Sequence, residues 1–210
     1  MSDYVVHLTK GLDPRSAFYN ILISGVINAT APSGIARDVA GMNQVAACFS
    51  EIPVREVDRL ANRYSPYGLG FHHETLIRQG GARVWYVELD RTVASHLVLL
   101  RDQHAQLLDP ADPFWAVAPF IERPGVYGNG TQYEFEWERE WRVARSNMLF
   151  VAREVAFVFA PQEEHETLAG WLPTATVAYD HQMVSPLVLD PRWPDDQLFA
   201  AFARHIQATQ

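Results

Sequence analysis

Cysteine and lysine are nearly missing from this 210-residue chain: Cys48 is the one cysteine, and Lys10 is the one lysine beside sixteen arginines. A single cysteine excludes an intrachain disulfide and a cysteine-based zinc cluster. The arginine bias reflects genome composition and carries no functional weight. Also missing is any run of about 18 apolar residues, the length a membrane span needs. Met1-Ser2-Asp3-Tyr4 lacks the basic and apolar regions of a signal peptide, so the expected location is cytoplasmic, with no membrane partner. Positive charge is short overall. A formal charge of -8 supplies no global field for nonspecific nucleic-acid binding, although a local groove is compatible with it. No Gly-Lys-Ser/Thr phosphate loop and no Gly-x-Ser-x-Gly elbow occurs, and Cys48 sits in an apolar run typical of an inert thiol. His72 and His73 are adjacent rather than four apart, so they do not form a helical zinc pair, and no metal is expected.

With 48% hydrophobic and 20% charged residues, the chain is an ordinary globular one, and its length suits a single domain over 1–210. Tyr4 to Thr9 alternates as a strand. Asp13 and Pro14 then open a helix whose stripe is Ala17, Phe18, Ile21 and Leu22, and Gly25 ends it. The spacing predicts a loop over 29–41, a buried strand over 45–50, a helix over 52–63, a strand over 84–89 and a helix over 92–108. A long Pro- and Gly-rich connection over 109–130 follows, and Phe114, Trp115 and Phe120 predict that it packs down. Two strands near 148–151 and 155–159, a short helix over 163–168 and a last helix after Asp195 complete the reading. The class is α+β, with a split mixed or antiparallel sheet of about seven strands flanked by helices.

What the sequence has in excess is acid at every second position. Tyr133-Glu134-Phe135-Glu136-Trp137-Glu138-Arg139-Glu140-Trp141-Arg142 carries the strand period, which puts the four glutamates and Arg142 on one face and the aromatic residues on the other. Carboxylates about 7 Å apart along one face repel each other. An edge strand that uses charge against sheet-to-sheet aggregation accounts for them, as does pairing with Arg139, Arg142 or Arg145. So does a cleft in which cationic character develops, as in an oxocarbenium ion.

Further motifs carry a resemblance. His7-Leu8-Thr9, with the helix end Ile21-Leu22-Ile23-Ser24-Gly25, resembles the opening of DarT-type ADP-ribosyltransferases. The runs Cys48-Phe49-Ser50-Glu51-Ile52-Pro53, Arg63 to Phe71, Val84-Trp85-Tyr86 and Phe135 to Arg142 resemble the AbiGi-like family of abortive phage-infection antitoxins. The likeness spans about Tyr4 to Phe159 and covers 159–210 weakly.

The resemblance implies an ADP-ribosyltransferase-like domain with NAD as substrate. In it, His7 meets the ribose with Thr9 beside it on the strand, and Ser50 with Tyr64 or Tyr67 lines the nicotinamide pocket. Glu140 is the catalytic carboxylate, and Glu138 orients the acceptor, a nucleic acid or protein. Such a protein would serve antiphage defence, with a cognate toxin or antitoxin as partner. A noncatalytic antitoxin or interaction module, and a hydrolase using the carboxylates with Mg²⁺, are the rival readings.

Overall fold

The computed structural model describes residues 4–39, 41, 44–51, 53, 56–88, 92–107, 109–123, 125–126, 132–133, 136–172 and 186–208. The chain is α+β and divides into two compact units, each assembled from segments far apart in sequence. One unit takes 1–26, 51–75 and 149–210; the other takes 27–50 and 76–148. Because neither is a contiguous stretch, no shift of composition marks a boundary along the chain.

In the first unit the strand order is Leu187–Leu189, Val155–Phe159, Gly68–His72, Tyr4–Leu8. The first pair is parallel and the other two are antiparallel, so the sheet is mixed as expected. The Pro14–Ser24 helix follows the first strand. Asp13 caps it by accepting from the Ser16 N–H at 2.9 Å, and Gly25 closes it with φ 64°, a left-handed conformation that costs glycine little. The predicted last helix runs over Asp195–Ala208, with two acids in its first turn where the helix dipole favours them. Tyr4, Phe159 and Phe202 surround the ring of Phe157, with centroids 5.1–5.6 Å away.

In the second unit Glu140–Ala144 lies antiparallel between Val45–Ser50 and Ala82–Arg83, and Ala31–Pro32 pairs with the far side of Val45–Ser50. The core gathers on fully buried Trp115, packed with Ile35, Ala36, Val87, Ala94, Ala118 and Ile121. The long connection packs down as its aromatics predict, through a helix at Phe114–Val117 and a 3-10 turn at Ala118–Phe120. The indole N–H of Trp115 donates to the Asp109 carbonyl at 2.9 Å. The helix predicted over 92–108 is found at Thr92–Leu107, whereas that over 52–63 begins only at Val57 and the strand over 84–89 contracts to Trp85–Tyr86. Ala31–Pro32 adds a short strand inside the predicted loop.

The acidic stretch departs most from its pattern. It is not one strand: Gln132–Tyr133 pairs with Gly125–Val126, Glu136–Glu138 forms a 3-10 turn, and the ladder starts only at Glu140. Glu134 and Phe135 lie outside the described residues. The physical reason is the partner's length. The Val45–Ser50 strand ends opposite Glu140, and an alternating sequence without ladder bonds has nothing to hold it extended.

One close approach in the first unit is open to test. A Cβ added to Gly70 would lie 2.2–2.5 Å from the Phe157 ring, which packs against Tyr4 and Phe202. Gly70→Ala is expected to lower unfolding free energy by about 1–3 kcal/mol in urea denaturation, the usual cost of overpacking. A midpoint equal to that of the parent would show that the ring gives way.

Candidate functional site

The second unit holds Ser50, Glu138 and Glu140. Ser50 and Glu140 are partners across the ladder, and both Ser50 and Glu138 are buried. The Ser50 hydroxyl donates to Oε2 of Glu138 at 3.1 Å. Between the two glutamates, Arg139 is left-handed at φ 45°, with its residue exposed.

Glu140 is built into an ion network. Arg142 grips it as a fork, Nε to Oε1 at 2.8 Å and a terminal nitrogen to Oε2 at 2.9 Å. The Tyr86 hydroxyl donates to the same Oε2 at 2.9 Å. Behind it, Arg142 donates to Oε2 of Glu122 at 2.9 Å and to the Pro119 carbonyl, and Arg37 donates to the other oxygen of Glu122. The side chains of Arg142 and Glu122 are each 5% exposed, and that of Glu140 is 13% exposed.

The surroundings shift the neighbouring proton affinities in a consistent direction. Burial, and then the carboxylate of Glu140, raise the Tyr86 phenol well above its ordinary value. Burial works against the Arg142 cation, but Glu140, with smaller contributions from Cys48 and Glu122, outweighs it and holds the guanidinium protonated. Burial, followed by Glu140, pushes the Cys48 thiol up to about 12, so it is unreactive at neutral pH, in keeping with its apolar run.

The first unit holds the other predicted residues. His7 is half-buried on the Tyr4–Leu8 strand, opposite Leu69. Thr9 is buried just past the strand end, where its hydroxyl donates to the Pro14 carbonyl at 2.8 Å and meets the Ser65 hydroxyl at 3.1 Å. Ser65 in turn donates to the Thr9 carbonyl at 2.8 Å, so Thr9 clasps the strand-to-helix junction. Tyr64 is half-buried at the end of the Val57–Arg63 helix, with the Arg63 guanidinium 5.5 Å from its ring centroid.

Tyr67 is buried, and its phenol donates to Oε1 of Glu164 at 2.5 Å. Glu164 also accepts from Tyr19 at 3.2 Å and from Arg15 at 2.9 and 3.0 Å. Its pKa falls below the ordinary carboxylate value: burial alone would raise it, and Arg15 and Tyr67 more than compensate.

Arg37, Tyr86, Glu122 and Glu164 escaped the sequence reading. Arg142 did not entirely escape it, since it stands two residues from Glu140 with the period of a strand face. Among the described residues, no group of three or more His, Cys, Asp or Glu is placed to hold a metal ion. No helix among them is long and apolar enough to cross a membrane. No protein-family model, curated protein or solved structure matches the chain.

Two measurements probe these clusters. Arg142→Met leaves Glu140 and Glu122 as buried charges without their shared partner, and is expected to cost about 3–5 kcal/mol in urea denaturation. Adding Glu140→Gln to that variant should recover part of the loss. A single-variant loss below about 1 kcal/mol, the scale of an exposed pair, would contradict the network.

Tyr67 supplies the pH test. Burial, and then its bond to Glu164, push its phenol up to about 12. A folded pKa above the unfolded value of about 10 means that its contribution is complete below pH 10 and is lost as pH rises toward 12. Alkaline titration of the tyrosinate band should lose its step near pH 12 in Tyr67→Phe, and that variant's stability should decline less over the same range. An unchanged titration curve would contradict this account.

Proposed function

We propose that this chain is an NAD-dependent ADP-ribosyltransferase acting on a nucleic acid or protein in antiphage defence. The observation that carries this reading is the setting of Glu140, whose carboxylate is gripped by the Arg142 fork and held in plane with the help of Tyr86. An ionised carboxylate offers about four acceptor positions. Glu140 accepts from Arg142 on Oε1 and from Tyr86 and Arg142 on Oε2, with the Cys48 thiol also beside it. In this reading a ribose hydroxyl joins these donors on the carboxylate when NAD is bound.

The chemistry asks for such a group. When the bond from the ribose C1 to the nicotinamide nitrogen breaks, the electron pair leaves with nicotinamide and the sugar becomes cationic. A fixed anion beside it stabilises that charge without reorganising. The acceptor's nucleophilic atom then bonds to C1 and loses its proton, so NAD and acceptor become nicotinamide, the ADP-ribosylated acceptor and a proton. In this reading Glu140 faces the sugar and Glu138 orients the acceptor beside Ser50. His7 is the residue that the family resemblance assigns to the ribose, with Thr9 beside it, and Ser50 with Tyr64 or Tyr67 are the residues it assigns to the nicotinamide pocket.

A second reading rests on the same network. Its charges balance without any ligand, which suits a noncatalytic antitoxin or interaction module.

Purified parent protein, Glu140→Gln and His7→Ala, each checked for folding by circular dichroism, should be mixed with labelled NAD and cell extract or oligonucleotides. The parent is expected to transfer label, and Glu140→Gln to fall by about 10²–10³-fold, the scale for removing a charge-stabilising group. Absence of NAD binding or turnover in the parent, or equal labelling by all three proteins, would overturn the transferase reading. Neutralisation of a partner toxin that survives Glu140→Gln would then favour the noncatalytic one.

A further inference from the structure

We propose that Arg139 is a positioning residue that acts through its backbone: its left-handed conformation separates the two carboxylates of the transferase reading, on which this inference rests. In an extended strand Glu138 and Glu140 would share a face, about 7 Å apart. Instead, the chain leaves the Glu136–Glu138 turn, reverses through Arg139 at φ 45° and enters the ladder at Glu140. The consequence is two environments. Glu140 points into the fork of Arg142, and Glu138 comes back onto the hydroxyl of Ser50, the residue paired with Glu140 across the ladder.

An L-residue with a Cβ is disfavoured at this φ, and glycine or asparagine adopts it far more readily. Strain of this kind persists where the surrounding contacts over-determine it, and such residues cluster at functional sites. The contacts here are the buried Ser50–Glu138 bond on one side and the Arg142 fork on the other. The residue is exposed, so changing its side chain opens no cavity, and substitutions that all remove the guanidinium read the backbone requirement by their differences from one another.

The test compares Arg139→Gly, Arg139→Asn, Arg139→Ala and Arg139→Val in the full chain. NAD turnover and crystal structures of the variants are the readouts. Gly and Asn suit the left-handed region, Val opposes it most, and Ala stands in for Val if the latter does not fold. The expectation is a kcat per folded molecule, with the folded fraction of each variant measured by circular dichroism so that a general loss of stability is corrected for, at least about tenfold higher in the Gly and Asn variants than in Val or Ala, with KM within about threefold. The Ser50–Glu138 bond should be present in the Gly structure and absent in the Val or Ala structure.

Gly as slow as Val or Ala would mean that the side chain is what matters, and would overturn the proposal. A Ser50–Glu138 bond retained in Val or Ala would overturn it equally. If the parent does not turn over NAD, the transferase reading fails on its own, and the crystal structures alone decide the role of Arg139.

Discussion

Arg142 is the interaction on which the interior of the second unit depends. Its guanidinium offers five N–H donors in a rigid fork, and it makes four bonds, two to Glu140, one to Glu122 and one to the Pro119 carbonyl. With Arg37 on the far side of Glu122, the charges alternate in sign and sum to zero. Removing ions from water costs several kcal/mol each, and only such alternation with well-aligned bonds offsets it. The network also ties distant chain together. Pro119 and Glu122 belong to the long connection, so the cation that fixes the Glu140–Ala144 strand also holds down a segment rich in proline and glycine.

The first unit solves a similar problem with the signs exchanged. There one carboxylate, Glu164, collects Arg15, Tyr19 and Tyr67. Two of its partners are neutral phenols, which solvate the anion without bringing further charge into the protein. Because Arg15 is half-exposed, the ion pair itself contributes little, and the phenol bonds together with the packing of Tyr67 on Phe18 carry more of the attachment. A tyrosine that the sequence suggests for stacking on a ligand therefore has its hydroxyl engaged by the fold.

How much of this was legible in the sequence follows from the range of each interaction. The Pro14–Ser24 helix was readable because Asp13, Pro14 and Gly25 act within a turn of where they stand. The acidic alternation was legible as a pattern but not as a strand. Period two places side chains on one face only while a neighbouring strand supplies the ladder, and the neighbour of Glu140 ends at Ser50. Arg142 stood two residues from Glu140 and was visible as a candidate partner. Glu122 and Glu164 were not, because their bonds close over 20 and 97 residues, respectively. At such separations, spacing carries no information about contact.

The four glutamates of the acidic run are identical in chemistry, so any difference between Glu138 and Glu140 has to come from place. Glu140 lies in the fork of a permanent cation, Arg142. Glu138 lies buried and accepts from the Ser50 hydroxyl. Carboxylates two residues apart with unlike surroundings are a common way to obtain two chemical roles from one residue type. A regular strand would have left them alike. The departure from regular structure between Glu138 and Glu140 is thus the step that gives one residue type two different surroundings, the asymmetry on which the proposed transferase reading draws.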